Sequence, residues 1–187
     1  MRGHFLKTRF ACSLVAVIVA AYAAVCAAAS APGEYQVKAV FLFNFTQFVE
    51  WPAGAFPDDK APFVICVLGR DPFGENLDEA VRGERVGSRD LVVQRYESLE
   101  KVGHCQILFV TDLAAERPAG LAAALVGRSV LTVGDAQGRA GRDVVIGFVS
   151  DRNRIRLRIN LKAAQDAGLV ISSKLLRPAE IVGAKRG

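Results

Sequence analysis

Residues 63–82 read FVICVLGRDPFGENLDEAVR, and the architecture can be inferred by starting from them. Phe63–Gly69 is a continuous apolar run, which is typical of a strand buried on both faces of a sheet. Arg70–Gly74 contains proline and glycine and predicts a turn, after which a polar helix extends to about Arg82. A buried strand followed by a helix indicates one crossover unit of a parallel sheet.

Elements of the same kind follow along the chain. Later apolar segments predict three more strands, and an alanine- and leucine-rich segment between the last two predicts a helix. Two segments separated by a turn-length gap predict an antiparallel hairpin. The strands are expected at Leu91–Tyr96, Gln106–Val110 and Ser129–Val133, the helix at Pro118–Val126, and the hairpin at Val144–Val149 with Asn153–Ile159. The predicted fold class is therefore α/β, with three layers: a mostly parallel sheet flanked by helices, and a C-terminal antiparallel hairpin.

The most apolar helical segment, Glu34–Trp51, precedes residues 63–82. Its apolar side chains recur at three- and four-residue steps and cover most of the circumference, so we expect burial on more than one side. Trp51 precedes Pro52, and a residue before proline is pushed out of the helical conformation. The helix is therefore predicted to end there.

Short elements complete the C-terminal part. Asn160 is predicted to cap a helix through Asp166, and Gly168 to end that helix. Leu169–Ile171 is predicted to add a last strand, and Ser172–Leu176 a final turn before Pro178.

The N-terminal segment has the form of a secretion signal. A basic region is followed by an uncharged apolar run from Phe10 to Ala29, which ends in small residues that signal peptidase accepts. Residues 1–29 are therefore predicted to be a signal peptide, cleaved after Ala29 or Ala31, and residues 32–187 a single domain. The alternative is an uncleaved anchor, because the run is nearly long enough to span a bilayer.

Removal of the signal changes the charge. The full chain has a net charge of +5, but loss of Arg2, Lys7 and Arg9 leaves 21 basic against 19 acidic residues, a net charge of +2. A weakly charged, exported domain is not expected to bind nucleic acid.

Cys66 and Cys105 are the two thiols that remain after the signal is removed. Cys66 lies inside the first predicted strand and Cys105 next to the third, so the two could meet in the sheet and be oxidised outside the cytoplasm. Two free core cysteines are the alternative. No Cys-x-x-Cys pair is present, which disfavours a thioredoxin-like role.

Other chemistry-bearing patterns are weak. His104 is the one histidine after residue 29, and a single histidine without ligands at suitable spacing does not form a zinc site. The chain contains no nucleophile elbow and no phosphate-binding loop. We therefore predict no catalytic residue, no metal and no cofactor.

Four arginines recur at every second position from the turn into the second strand of the hairpin, where Ile155, Leu157 and Ile159 alternate with them: Arg152, Arg154, Arg156 and Arg158. Alternation places their guanidinium groups on one face of the strand, where like charges repel one another unless water or anions surround them. A solvated sheet face is one interpretation. A docking surface for an acidic partner or an anionic ligand is the other.

Several motifs along the chain resemble the YfiR family, which includes HmsC. The first helix with its Trp51-Pro52 end resembles the family's opening, and the later motifs follow in the family's order over nearly all of the chain after the signal. These later motifs are Cys66–Gly74, Leu131–Asp135, Asn153–Arg156 with Ile159-Asn160, and Ile171–Leu176.

The resemblance implies a small periplasmic protein, often a homodimer, that represses an inner-membrane diguanylate cyclase. Such proteins engage the cyclase's periplasmic sensor domain, lowering cyclic di-GMP and biofilm formation, and an outer-membrane lipoprotein can sequester them. In the family, a disulfide links the segments that contain Cys66 and Cys105.

The chain also departs from the family pattern. Arg139 occupies a position that is usually aromatic, and Asp143-Val144 replaces a pair of glycines. A second cysteine pair, present in some members, is missing near Val145 and Arg152. If this loop contacts a partner or ligand, its specificity has changed.

The sequence thus favours a regulatory binding protein over an enzyme. Arg154, Arg156 and Asn160 are the candidate contact residues, with the exposed edge of the first helix as a second candidate surface. The competing hypothesis is a periplasmic sensor that binds a small ligand. A pocket enclosed by Arg154 and Arg156 would favour the sensor, and an exposed apolar patch would favour protein docking.

Overall fold

A computed structural model describes residues 33–111, 121, 124–138, 144–151 and 154–183. The helices within these residues are α1 (Glu34–Phe48), α2 (Glu75–Val81), α3 (Leu161–Asp166) and α4 (Ser173–Leu176). The strands are β1 (Val49–Glu50), β2 (Phe63–Leu68), β3 (Arg85–Val86), β4 (Arg89–Tyr96), β5 (Ile107–Val110), β6 (Leu131–Asp135), β7 (Ile146–Asp151), β8 (Arg154–Asn160), β9 (Val170–Ile171) and β10 (Glu180–Val182).

Eight of these strands form one sheet in the order β10-β8-β7-β6-β5-β2-β4-β3. The strands from β7 to β4 pair in parallel, β7 and β8 form an antiparallel hairpin, and β10 returns parallel to β8. The predicted fold class is confirmed. The sheet is mostly parallel, and α2 forms the crossover between the parallel strands β2 and β4, as the strand–helix unit of residues 63–82 predicts.

The core lies on both faces of the central strands. One face packs against α1 through Leu42 and Phe45 and against α2 through Leu77. The other face is covered in part by Val102 and Leu121. All six residues of β2 are buried, as expected for a strand covered on both sides.

The ends of the first helix and of the chain differ from the predictions. α1 ends at Phe48, and not at Trp51, because Val49 and Glu50 pair in an antiparallel two-stranded ladder with β9. The segment predicted as the last strand therefore lies outside the main sheet, and the last strand is β10. Tertiary pairing overrides the helical periodicity here.

The remaining predicted elements fall close to their expected positions. The side chain of Asn160 caps α3 by accepting a hydrogen bond from the Ala163 backbone N–H at 3.1 Å. Gly168 follows α3 with a φ of 70°, the left-handed conformation typical of a helix C-terminus. Most of the predicted helix Pro118–Val126 lies outside the described residues.

The predicted signal peptide, residues 1–29, also lies outside the described residues. Within the described residues, no helix combines the length and the apolar character needed to span a bilayer. The division into a signal and one domain stays a prediction.

Candidate functional site

The hairpin of β7 and β8 carries all three predicted contact residues, because Arg154, Arg156 and Asn160 all lie on β8. Leu157 and Ile159 are buried, and the alternating Arg154, Arg156 and Arg158 point to the opposite face of the sheet. Arg158 lies 3.4 Å from Glu180, and Arg156 lies 3.7 Å from Asp151. Arg154 is exposed and forms no ion pair with a described residue. The free positive charge of the hairpin is therefore concentrated near its tip, and Arg152 lies outside the described residues.

Asn160, the third predicted contact residue, lies six residues from Arg154 along an extended strand, a span of roughly 20 Å. Its side-chain oxygen is engaged by the cap of α3. Gly183 (φ 70°) approaches the same oxygen so closely that a Cβ added at position 183 would stand 2.3 Å from it. The structure therefore gives Asn160 a local role in joining β8, α3 and the end of β10.

A cavity of about 430 Å³ lies beside the hairpin where β10 begins. Arg156 and Leu157 line one side, and Pro178, Ala179 and Glu180 line the other. Arg154 does not line this cavity, so the cavity is not the pocket enclosed by Arg154 and Arg156 that would favour a small-ligand sensor. A cavity of this volume is in the range of small-molecule sites.

A charge cluster around the buried side chain of Lys38 lies on the other side of Ser150, and none of its residues was predicted as a contact residue. Lys38 of α1 is 1% exposed. Its ammonium nitrogen lies 2.5 Å from Asp135 Oδ1, at the end of β6, and 2.5 Å from Glu34 Oε1, one turn earlier in α1. The Tyr35 hydroxyl donates to Asp135 Oδ2 at 3.0 Å. We name Glu34, Tyr35, Lys38, Asp135 and Ser150 the lysine cluster.

The lysine cluster connects three elements of the fold. The Ser150 hydroxyl donates to Glu34 Oε1 at 2.7 Å, which ties the hairpin to α1, while Asp135 ties α1 to β6. The Lys38 ammonium also lies 4.5 Å from the centre of the Tyr35 ring, within the range of a cation–π contact. The hydrogen bonds of Glu34 with Lys38 and then Ser150 lower the pKa of that carboxyl.

A second cavity, of about 330 Å³, opens above the lysine cluster. Glu34, Lys38 and Asp135 line it together with Phe148 and Gln137. Gln137 and Ser150 line both cavities, so the two cavities adjoin each other at these residues. The lysine cluster offers hydrogen-bonding oxygens, and its one positive charge, on Lys38, is already neutralised by two carboxylates. Such a site is better suited to orienting a polar ligand than to binding a free anion.

Lys38 and Asp135 could have been found in the sequence. Lys38 is a single cation within an otherwise apolar helix, and Asp135 lies two residues after the predicted strand Ser129–Val133. A charge at such a position either reaches water or meets a partner. The strand predictions did not say which strand end would lie next to α1, so the partner could not be named.

Cys66 and Cys105 form a disulfide across a Cα–Cα distance of 5.9 Å. This contact joins β2 to the residues before β5 and lies within the apolar cluster on the sheet face opposite α1. His104 is exposed beside it. Among the described residues, no group of three or more histidines, cysteines or carboxylates could hold a metal ion. Arg139 and Asp143, where the chain departs from the family pattern, lie outside the described residues.

The chain was compared with known proteins. No functionally curated protein matches it. The sequence profile of the YfiR/HmsC-like family matches residues 35–180. This range includes α1 from its second residue, the eight-stranded sheet as far as the first residue of β10, the disulfide and the hairpin. Because the match covers well over half of the chain, the protein belongs to the YfiR/HmsC-like family.

Proposed function

We propose that this protein is a periplasmic repressor of an inner-membrane diguanylate cyclase, acting by binding the cyclase's periplasmic sensor domain. The observation that carries the proposal is the family match over residues 35–180, because members of this family are periplasmic regulators of diguanylate cyclases. Binding that favours the inactive state of the cyclase lowers cyclic di-GMP, and with it biofilm formation.

Two features of the structure support the proposal, one concerning the compartment and one concerning binding. The disulfide suits a protein that works outside the reducing cytoplasm. The hairpin presents exposed cationic side chains, which are suited to an acidic protein surface. The homodimer and sequestration by an outer-membrane lipoprotein remain predictions from the family resemblance.

Deletion of the gene tests the proposal. Cyclic di-GMP is expected to rise in the deletion strain and to return to its starting level when the full chain is restored. A matched control expresses residues 32–187 without the predicted signal, which should leave cyclic di-GMP high because the protein stays in the cytoplasm. An unchanged level after deletion, or full rescue by the control, would defeat the proposal.

The second candidate function is a periplasmic sensor for a small ligand. It is favoured by the two adjoining cavities, one of which is lined by Glu34, Lys38 and Asp135. Native mass spectrometry of protein purified from the periplasm is the test. A bound mass that is released on denaturation supports the sensor, and an unliganded mass in fresh protein counts against it.

A further inference from the structure

The outer edge of β8 is incompletely paired. β10 covers Arg158, Ile159 and Asn160, and its pairing with β8 starts at Glu180 opposite Arg158. The preceding residues of β8, Arg154–Leu157, have no strand on their outer side among the described residues. We name Arg154–Leu157 the hairpin edge.

The backbone groups that the hairpin edge leaves open can be identified from the ladder. The Asn160 N–H donates to the Val145 carbonyl, so Asn160 turns its backbone groups toward β7. Hydrogen-bonded and non-hydrogen-bonded pairs alternate in an antiparallel ladder, so the backbone N–H and C=O groups of Arg156 and Arg154 also point toward β7. Ile155 consequently turns its N–H and C=O outward, where an added strand could pair with them.

The chemistry around the hairpin edge indicates the kind of strand that fits. Arg154 has no ion-pair partner among the described residues, and Arg156 has a loose one at 3.7 Å in an exposed position. Exposed pairs of this kind contribute little, so partner carboxylates can replace Asp151. The cavity of about 430 Å³ lies beside Arg156 and Leu157, which leaves room next to the strand.

A second copy of this chain is a poor occupant. Pairing two hairpin edges would place arginines opposite arginines, and like charges directly opposite each other destabilise a ladder. An acidic segment has the complementary charge at each of these positions.

We infer that the hairpin edge binds an extended acidic segment of the cyclase's periplasmic domain by strand addition. This inference rests on the proposed function and specifies its contact surface. Backbone hydrogen bonds to Ile155 supply affinity, while Arg154 and Arg156 select acidic side chains.

Proline at position 155 is the test, because it removes the outward N–H and leaves the ladder with β7 intact. Val93 provides a matched control on the opposite edge of the sheet: it is half-buried, and its backbone groups also point outward, since those of Tyr96 face β2. Binding of the full mature protein is measured to the purified periplasmic domain of the cyclase on which the protein is proposed to act. The proteins compared are the wild type, Ile155→Pro, Ile155→Val and Val93→Pro.

Ile155→Pro is expected to weaken binding at least tenfold, with Ile155→Val and Val93→Pro close to the wild type. If Ile155→Pro fails to fold in thermal melts, the double variant Arg154→Glu with Arg156→Glu replaces it, and the same loss is expected. If the folded Ile155→Pro variant or the charge-reversal variant binds the cyclase domain as tightly as the wild type does, the inference is overturned and the proposed function still stands. A loss of dimerisation with unchanged cyclase binding would also overturn it. A wild-type protein that does not bind the cyclase domain would defeat the proposed function, and the inference with it.

Discussion

The two ends of the eight-stranded sheet use arginine in opposite ways. On β4, Arg95 is held by Asp71 at 2.6 Å and by Asp78 at 2.5 Å, and it also donates to the Gly74 carbonyl at 3.1 Å. On β8, Arg154 is exposed and Arg156 is loosely paired. The charge at the β4 end is satisfied within the protein, whereas the charge at the β8 end is available to a partner. An open strand edge alone therefore does not identify a docking surface, because its charges decide what can approach it.

The two halves of the sheet are also stabilised by different means. The half that contains β2, β4 and β5 is cross-linked by the Cys66–Cys105 disulfide within an apolar cluster. The hairpin half is joined to α1 by the lysine cluster. Variants that remove either the disulfide or the lysine cluster show how much the stability of each half depends on that contact.

Loss of the disulfide should have the largest effect. The double variant Cys66→Ala with Cys105→Ala frees a loop closed across a sequence separation of 39. On the chain-entropy model this lowers the free energy of unfolding by about 4 kcal/mol. Urea denaturation measures the loss, and the reduced wild-type protein should match the double variant. If reductant does not change the midpoint of urea unfolding of the wild-type protein, Cys66 and Cys105 are not linked.

Lys38→Met should come next, with a loss of about 1.5 kcal/mol, because Asp135 and Glu34 lose their charged hydrogen-bond partner but keep contact with water. The exposed Lys174→Met is the control and should change stability little. Adding Asp135→Asn to Lys38→Met should recover part of the loss, since the uncompensated carboxylate is then removed. Equal stability of Lys38→Met and the wild type in urea would refute the role of the lysine cluster.

Arg95→Gln tests the exposed network at the β4 end and should cost at most about 1 kcal/mol, since solvent screens such pairs. The hydrogen bond from Arg95 lowers the pKa of Asp78, so the folded carboxyl binds fewer protons than the unfolded one. The stability that the Arg95–Asp78 pair contributes is therefore complete above the ordinary pKa of aspartate. It is lost as the pH falls through the lowered pKa of Asp78. Thermal melts from neutral to acid pH should therefore converge for Arg95→Gln and the wild type, and a constant difference would contradict the assignment.

Glu34→Gln should have the smallest effect at neutral pH, about 0.5 kcal/mol or less, because the Glu34 side chain is 49% exposed and Lys38 keeps its ion pair with Asp135. Because the pKa of Glu34 is lowered by Lys38 and Ser150, the wild type loses this contribution only as the pH falls below the ordinary glutamate range. The variant should show a shallower acid decline in melting temperature. A decline as steep as that of the wild type would remove Glu34 from the pH response.

The sequence predicted the fold class because β2 is continuously apolar and the hairpin has a turn-length gap, and both signals are local. It could not predict that Val49 and Glu50 leave the helix, because their partner β9 lies more than a hundred residues away. β10 was missed because it is three residues long and depends on its pairing with β8.

The candidate site was predicted in part. Strand alternation placed Arg154 and Arg156 on one face, and the helix-cap pattern gave Asn160 a structural contact. The lysine cluster was missed because ion pairing between α1 and β6 depends on which strand ends meet the helix. Pairing order is a property of the whole sheet, and no short motif encodes it.

Hydrogen exchange of the protein with and without the cyclase's periplasmic domain tests the comparison of the two edges most directly. The domain is expected to protect the Ile155 backbone amide of the hairpin edge and to leave the outward Val93 amide of β4 unchanged. Protection at Val93 without protection at Ile155, or at neither residue in a saturated complex, would contradict the account.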